Sequence, residues 1–520
     1  TARNRRHFIQ GEYNSNPTHP LIASIVNSST LTLFAVDQFQ KQRNSIPKSE
    51  KESVLSPSLI NIAPNRGSCR FLSSFFTRCS FVIFSPKKYI MTENESNLFR
   101  LLDLDPFNQE EREKLDGNAI IKEVQKNPGS AESKYRFSCR YLCFPLIQAL
   151  HLKASVDVLD ALCTPQVIRN ELIGDRALHI ALVNKLSLRV VSFLLNKWPK
   201  APQTKKQGGF TPLHIACQCH PSLNVLLLLL HFWPNALREK NVIGDTPLHW
   251  AIKMKAPWKV LSFLVKSGPD VLGEKDTSQN TPLHLLCENI ATLEVVSLFL
   301  DIRLGALSEK NNFGFTPLHL ACRKDVSLEV VTLLLDGWAG ALRETNECLD
   351  TPLSLACKKK ASLDVVSLLL DSWPDALRLK DFNGCTPLHC VCGFAAPIEV
   401  AFLLLEMCPD AIMERNNNGE TPFDQAQTSG AHADILSLMF HVTCLWDDRL
   451  EKPPPKEIIT FFFKIKWWNG VVLTIDRFPT VAQNIDLNIN VMPDFLFVVG
   501  YRCKLKTMME VISNNLDLIE

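Results

Sequence analysis

Strongly apolar runs recur along the chain at a constant interval of 35 residues. Runs such as SLEVVTLLL and SLDVVSLLL surround the periodic positions, which are Leu188, Leu223, Trp258, Leu293, Leu328, Leu363 and Ile398. A run of this length and composition is typical of a helix that is buried on most of its surface. The pattern therefore predicts one apolar helix per 35-residue unit.

A second motif keeps the same interval. The tetrapeptide Thr-Pro-Leu-His, or a close variant, starts at Thr211, Thr246, Thr281, Thr316, Thr351, Thr386 and Thr421. Threonine can cap a helix, and proline suits the first helical turn because its missing N–H would have had no helical partner. Weaker copies read RALH from Arg176 and FPLIQAL from Phe144. The motif predicts a short first helix ahead of each apolar second helix.

Glycine and tryptophan mark the ends of each unit. One register ahead of the tetrapeptide contains Gly174, Gly209, Gly244, Gly314, Gly384 and Gly419. A tight turn there would use the freedom of glycine at positive φ. At the far end, one register contains Trp198, Trp233, Trp338 and Trp373, and proline follows three of them. Proline there is expected to stop the second helix.

These features together resemble the ankyrin repeat. The resemblance is carried by the TPLH start, the VV-x-LLL second helix, the upstream glycine, and the alanine two residues after the motif histidine (Ala216, Ala251, Ala321 and Ala356). It covers about residues 141–445, with units of 35 residues where 33 is common in the family. It implies an all-α, ankyrin-type helix-turn-helix solenoid of about eight or nine repeats.

The flanking segments differ from the array. Residues 1–90 hold 12 Lys and Arg against 4 Asp and Glu and show no sustained helical period. We expect a disordered leader, which is either absent from a working protein that starts near Met91 or serves in targeting. The run FLSSFFTRCSFVIF is too short to span a bilayer and includes Arg78, so no transmembrane segment is predicted. Residues 91–140 are expected to form a helical N-terminal cap.

The C-terminal segment, residues 446–520, is predicted to be helical as well. The sequence KPPPK at 452–456 separates it from the last unit. A repeat array needs a terminal element that shields its last apolar surface, so we expect this segment to be a cap. A small separate binding module is the alternative.

Composition excludes several classes of protein. Hydrophobic residues make up 46% and charged residues 21%, which fits a folded chain. The net charge of +2 gives no global field that would favour nucleic acid or an anionic membrane. The 17 cysteines are too sparse for a disulfide scaffold, which favours a reducing compartment. We expect the cytoplasm, with the nucleus or an organelle as alternatives, and a monomer.

Candidate catalytic and metal-binding residues are better explained by structure. The motif histidines recur once per unit (His179, His214, His249, His284, His319 and His389). A residue repeated in this way is expected to tie its own turn to that of the next unit by hydrogen bonds. Two clusters have ligand-like composition, His214, Cys217, Cys219 with His220, and Cys385, His389, Cys390 with Cys392. We expect both to be helix-packing residues, and we predict no metal or other cofactor. Motifs for phosphate binding, metalloproteases and serine hydrolases are missing from the sequence.

The resemblance implies that partners bind the concave surface formed by hairpin tips and first helices. The candidate residues there are Phe210, Ile243, Asp245, Lys253, Met254, Phe313, Phe315, Arg323, Lys324, Asp350, Lys358, Lys359, Phe382 and Phe394. Aromatic side chains are favoured anchors in protein interfaces, and the basic pairs with Lys360 form a positive stripe. We therefore expect a protein ligand with apolar and acidic groups. The alternative is that these phenylalanines pack against neighbouring hairpins.

The function predicted from the sequence is a non-enzymatic protein–protein interaction scaffold. A second hypothesis is an organelle-targeted or membrane-surface adaptor that uses the basic leader. An enzyme with its active site in residues 456–520 is the third, because about 65 residues is small for an independent catalytic domain.

Overall fold

A computed structural model describes residues 96–484, apart from 138–141, 220–221, 290, 325, 395 and 449–450. Within these ranges the chain forms 25 α-helices, short 3₁₀ turns and one two-stranded ribbon. The leader at 1–90 lies outside the described residues, as does the end of the C-terminal segment from 485 onward.

Four short helices precede the array. They are α1 (Asn97–Leu102), α2 (Gln109–Glu113), α3 (Gly117–Lys126) and α4 (Gly129–Glu132). The side chain of Gln148, in the first array helix, donates hydrogen bonds to the main-chain oxygens of Leu102 at 3.1 Å and Leu104 at 2.9 Å. These bonds hold the N-terminal helices against the array.

A small ribbon separates these helices from the array. Strands β1 (Tyr135–Arg136) and β2 (Leu142–Cys143) pair antiparallel, with Tyr135 opposite Cys143. The all-α prediction did not include it. The ribbon closes over an aromatic cluster in which the rings of Phe99 and Phe137 stack at 5.5 Å.

Nine helix pairs follow, and their starts confirm the predicted register. The first helices are α5 (Pro145–His151), α8 (Glu171–Val183), α10 (Pro212–Cys219), α12 (Pro247–Lys253), α14 (Pro282–Asn289), α16 (Pro317–Arg323), α18 (Pro352–Lys359), α20 (Pro387–Phe394) and α22 (Pro422–Ser429). The second helices are α6 (Val156–Leu162), α9 (Leu188–Lys197), α11 (Leu223–Phe232), α13 (Trp258–Ser267), α15 (Leu293–Ile302), α17 (Leu328–Gly337), α19 (Leu363–Ser372), α21 (Ile398–Met407) and α23 (Ala433–Trp446). The helix α7 (Pro165–Arg169) lies between α6 and α8.

The threonine of the motif caps the first helix as predicted. The side chain of Thr316 accepts a hydrogen bond from the amide of His319, while the His319 side chain bonds back to the amide of Thr316. Such a reciprocal pair satisfies two amides that a helix start would leave without partners. The small residues inside the helix, such as Ala321 and Cys322, are buried and allow neighbouring units to stack closely.

The second helices bury one face and end at the predicted tryptophan register. In α17, Val330, Val331, Leu334 and Leu335 are buried, which is the spacing of one helical stripe. Trp338 ends this helix, and a 3₁₀ turn follows at Ala339–Arg343. Where proline follows the tryptophan, as in Pro234–Arg238 and Pro374–Arg378, it opens that turn.

One predicted turn is wrong. Gly174 was expected to adopt positive φ, but it lies inside α8, which continues without a break through the weak RALH copy. Glycine is needed there for a different reason, because a Cβ atom at this position would lie 2.2 Å from the Trp198 ring. The stronger copies do follow the prediction, with φ of 77° at Gly209 and 73° at Gly314.

Cysteines of the repeated register are part of the core. Cys217, Cys287, Cys322, Cys357 and Cys392 are all buried in first helices. Burial raises the pKa of Cys287 and Cys357 to about 12, so these side chains stay protonated thiols at neutral pH. They act as small apolar residues in helix packing.

The described part of the C-terminal segment forms α24 (Pro455–Lys464), α25 (Trp468–Arg477) and a 3₁₀ turn at Pro479–Asn484. This hairpin packs on the second helices of the last two units. The Trp467 ring stacks on Phe402 of α21 at 6.1 Å, and the Phe461 ring stacks on His441 of α23 at 3.9 Å. The capping role of this segment stays a prediction.

Candidate partner-binding surface

Six successive hairpin tips are each closed by one Asn or Asp side chain, whereas the tip ahead of Thr211 has Lys206 at this position. In the unit of α16, the Asn311 side-chain oxygen accepts hydrogen bonds from the amides of Phe313 and Phe315, both at 3.0 Å. The same position, five residues before the motif threonine, contains Asn241, Asp276, Asn346, Asp381 and Asn416. Sequence reasoning missed this register, although its signal, an Asn or Asp at every 35th residue from Asn241 to Asn416, is visible in the sequence.

Successive tips are joined by main-chain hydrogen bonds. The amide of Glu347 donates to the oxygen of Phe313 at 3.1 Å, and the amide of Phe382 donates to the oxygen of Cys348 at 2.9 Å. Gly314 adopts φ of 73°, and a Cβ atom there would lie 2.9 Å from the Glu347 amide nitrogen. The tips therefore form one closely packed strip along the array.

Five of the six motif histidines link the units as predicted, whereas Nδ1 of His179 lies 2.7 Å from the main-chain oxygen of Asp175 in its own helix. In His284, Nδ1 accepts a hydrogen bond from the amide of Thr281 at 3.2 Å, so Nε2 carries the proton and donates to the main-chain oxygen of Phe315 at 3.0 Å. Equivalent bonds run from His214, His249, His319 and His389 to the tip of the next unit. Burial lowers the pKa of His214, His249, His284 and His319 to about 4, which keeps these rings neutral. His214 and His389 belong to the two clusters of ligand-like composition, and in each of them both ring nitrogens make these hydrogen bonds.

Two of the candidate lysines are engaged inside the array. Lys253 pairs with Asp245 at 2.6 Å, and Lys358 pairs with Asp350 at 2.5 Å and with Asp381 of the next unit at 2.7 Å. All three aspartates are buried. Asp245, Asp350, Lys253 and Lys358 therefore stabilise contacts within and between units and offer little charge to a ligand.

A ladder of ion pairs runs along the base of the tips. It consists of Lys205–Glu239, Lys240–Glu274, Lys275–Glu309, Lys310–Glu344 and Lys380–Glu414, each between 2.7 and 2.9 Å. One pair is missing between Lys310–Glu344 and Lys380–Glu414, where the equivalent residues are Thr345 and Leu379. Leu379 is 39% exposed. Such exposed pairs add little stability individually, but here they order the tips relative to one another.

Position within the tip decides which candidate side chains reach the surface. Phe210, directly before its motif threonine, is buried with its ring 4.7 Å from that of Trp250. Phe315 holds the same position, is half-buried, and lies 5.1 Å below the guanidinium of Arg323, which also pairs with Glu288. Met254 is half-buried as well. These side chains pack within the array.

Other candidates are on the surface. Phe313 is 52%, Phe382 63% and Phe394 47% exposed, and Ile243 is exposed on an earlier tip. Lys324 and Lys359 are exposed at the ends of α16 and α18, and no ion pair involves them among the described residues.

Leu349 is an exposed residue that sequence reasoning missed. It occupies the position of the tip glycine between the tips of Phe313 and Phe382, with φ of 57° and half of its surface exposed. Leucine is unfavourable in this left-handed conformation. The signal in the sequence is the replacement of the glycine by leucine in ECLD, ahead of Thr351.

A comparison with family models agrees with the repeat architecture. The profile of the family described as "Ankyrin repeats (3 copies)" matches residues 178–273, 248–347 and 288–377. Among solved structures, the chain is similar to the ankyrin repeat domain of Bcl-3, which is described as a unique member of the IkappaB protein family. That similarity has 26% sequence identity and a TM-score of 0.36, and it covers 45% of this chain and 98% of the other. A search of curated proteins gave no match. Of the described helices, none has both the length and the apolar character that crossing a bilayer requires.

Proposed function

Since the chain is an ankyrin-repeat protein, we propose that it is a non-enzymatic scaffold that binds a partner protein on the tips and first helices of three units, those that begin at Thr316, Thr351 and Thr386. Ankyrin repeats generally serve protein–protein interaction, which gives the class of function. The location and the partner chemistry are our inference from the surface.

The observation that carries the proposal is a row of exposed apolar side chains. Phe313, Leu349 and Phe382 lie on three successive tips, and each is at least 50% exposed. Tips of a surface without a ligand would be expected to carry polar residues, as Asn417 and Asn418 do one unit later. Leu349 also keeps an unfavourable backbone conformation that glycine would relieve, which supports a role for its side chain.

The charges beside this row indicate the chemistry of the partner. Lys324, Lys359 and Lys360 are exposed at the ends of α16 and α18, while Phe394 ends α20. The nearby carboxylates of Asp350 and Asp381 already pair with Lys358, so they do not neutralise the exposed lysines. These lysines can therefore attract an anionic group of a ligand. The surface therefore suits a protein segment with apolar side chains and nearby Asp or Glu.

The test is affinity capture with the full chain. We expect the double variant Phe313→Ala, Phe382→Ala to lose the partners that the wild-type chain captures. The control is Phe107→Ala, which removes a 78% exposed ring outside the array and should leave capture unchanged. An identical set of captured proteins from all three chains would contradict the proposal.

The adaptor hypothesis concerns residues that the structure does not describe. It rests on the excess of Lys and Arg in residues 1–90. We expect tagged full-length protein and a chain starting at Met91 to differ in cellular location if the leader targets the protein. Identical distributions would leave the leader without a targeting role.

A further inference from the structure

The outward-facing positions of the second helices divide the array into a basic part and an acidic part. The second and ninth residues of each helix are seven positions apart, so they lie on one side, about two turns from each other. In the first part these exposed residues are Arg189 and Asn196 of α9, Asn224 and His231 of α11, and Lys259 and Lys266 of α13. None of these three helices contains an Asp or Glu.

The next three helices have the opposite charge. Their exposed residues are Glu294 and Asp301 of α15, Glu329 and Asp336 of α17, and Asp364 and Asp371 of α19. None of these helices contains a Lys or Arg. Among the described residues, no salt bridge neutralises these six carboxylates. The nearest cations in sequence are Arg303, Lys324 and Lys360, which all lie outside these three helices.

An apolar ridge runs through both parts. Leu188, Trp258, Leu293, Leu328 and Leu363, the first residues of their helices, are each between 37% and 44% exposed. In α11, Leu227 is 53% exposed at a position where the other helices of this face have Ser or Thr. It borders a groove of about 780 Å³ that Leu188, Phe193, Leu228 and His231 also line.

The chain itself shows that this face accepts helices. On α21, Phe402 occupies the position that Leu227 has in α11, and the Trp467 ring of the C-terminal hairpin stacks on it. The hairpin also donates a hydrogen bond from Asn469 to the main-chain oxygen of Glu406 at 3.5 Å. The hairpin therefore covers the face at α21 and α23. The six helices from α9 to α19 remain, three of them basic or neutral and three acidic.

We propose that two copies of this chain pair antiparallel through these six helices. A two-fold axis between α13 and α15 would place α13 of one copy opposite α15 of the other, α11 opposite α17, and α9 opposite α19. The basic helices α9 and α13 then face the acidic helices α19 and α15, the uncharged α11 faces α17, and the two apolar ridges meet between the charges. A two-fold arrangement closes the assembly, whereas a head-to-tail arrangement would leave one basic and one acidic surface open for further growth.

A second copy fits this face better than an unrelated ligand does. A cationic partner would satisfy only α15 to α19, and an acidic partner only α9 to α13. A second copy offers both charges at the spacing of the same repeat, in the reverse order. This pairing differs from the monomer expected from the sequence, and it leaves the tip surface free, so it is independent of the proposed partner site.

The experiment measures the mass of the full chain in solution by sedimentation. We expect a dimer at low ionic strength that dissociates toward about 1 M salt, where the Debye length falls to about 3 Å. Reversing the basic side with Lys259→Glu, Lys266→Glu should weaken dimerisation at least about tenfold, as should reversing the acidic side with Glu294→Lys, Asp301→Lys. The control Glu110→Lys, Glu113→Lys changes two charges on α2, outside the face, and should have no effect.

Mixing the two reversed variants gives the decisive outcome. In the mixed pair, an acidic α13 meets a basic α15 and an acidic α15 meets a basic α13, so we expect a heterodimer to form where each variant alone is monomeric. Circular dichroism checks that both variants are folded. A wild-type chain that stays monomeric at low salt up to about 100 μM, or a dimer that neither reversal weakens, would overturn the proposal.

Discussion

The Nε2–H group of His284 donates a hydrogen bond to the main-chain oxygen of Phe315 at 3.0 Å, joining residues 31 positions apart in two successive units. The other ring nitrogen, Nδ1, accepts a hydrogen bond from the amide of Thr281, so the ring makes both bonds at once only when it is neutral. The same arrangement recurs at His214, His249 and His319. Each of these buried rings therefore completes its own helix cap and the link to the next unit in the neutral form.

Stability is expected to fall steeply in mild acid. Burial lowers the pKa of these four histidines from 6.5 to about 4, so between these values the unfolded chain binds protons that the folded chain does not. The stability that depends on the neutral rings is fully present above pH 6.5. As the pH falls toward 4, the free energy of unfolding decreases by up to about 1.4 kcal/mol per pH unit for each histidine. Urea unfolding from pH 7.5 to 4.5 checks this. A midpoint that does not change across that range would contradict it.

The unit that begins at Thr351 has Ser354 at the position of the motif histidine, so a histidine can be introduced there. The Ser354 hydroxyl donates to the main-chain oxygen of Thr351 at 3.0 Å, within its own unit. The unit of His249 has the same buried Asp–Lys pair and accommodates the histidine. We therefore expect Ser354→His to raise the free energy of unfolding by about 1 kcal/mol, the usual net value of a hydrogen bond. Thermal unfolding at pH 7.5 measures it, and the gain should vanish near pH 5.

The tip glycine position separates backbone strain from function. Leu349→Gly removes an exposed side chain from a left-handed backbone, so the gain from relieved strain and the entropic cost of glycine should leave stability within about 1 kcal/mol of the wild type. Gly314→Ala, at the same position one unit earlier, should destabilise, because its Cβ would lie 2.9 Å from the Glu347 nitrogen. Chemical unfolding compares the two. Equal losses from both substitutions would be inconsistent with this explanation.

The C-terminal hairpin is expected to be necessary for the stability of the last units. Trp467 is buried between Phe402 and Phe462, with ring distances of 6.1 and 5.1 Å. Trp467→Ala should cost about 3 kcal/mol or more, expose α21 and α23, and reduce solubility. The neighbouring half-buried Trp468 provides the control, since Trp468→Ala should cost less. Thermal unfolding and limited proteolysis measure both, and an unchanged pattern with Trp467→Ala would contradict a capping role.

The sequence predicted the repeat because each unit must satisfy the same local requirements. A threonine cap, a proline in the first turn and a stripe such as Val330, Val331 and Leu334 depend on residues close in sequence. The Gly174 turn is the exception, because helix α8 continues through the weak RALH copy.

The surface was harder to predict because it depends on contacts between units. Phe210 and Phe313 are both tip phenylalanines, but the position directly before the motif threonine points inward and the position three before it points outward. Lys358 pairs with Asp350 of its own unit and also with Asp381 of the next unit. The pairing with Asp381 has no signal within a single unit.

The most direct test of the account is the affinity of a captured partner for tip variants of the full chain. If the partner binds the row on the three tips, Phe313→Ala, Leu349→Gly and Phe382→Ala should each raise its Kd by about tenfold or more, as expected for buried apolar anchors. Phe107→Ala should leave the Kd unchanged. A partner whose Kd is the same for all four variants would contradict the assignment of the binding surface to these tips.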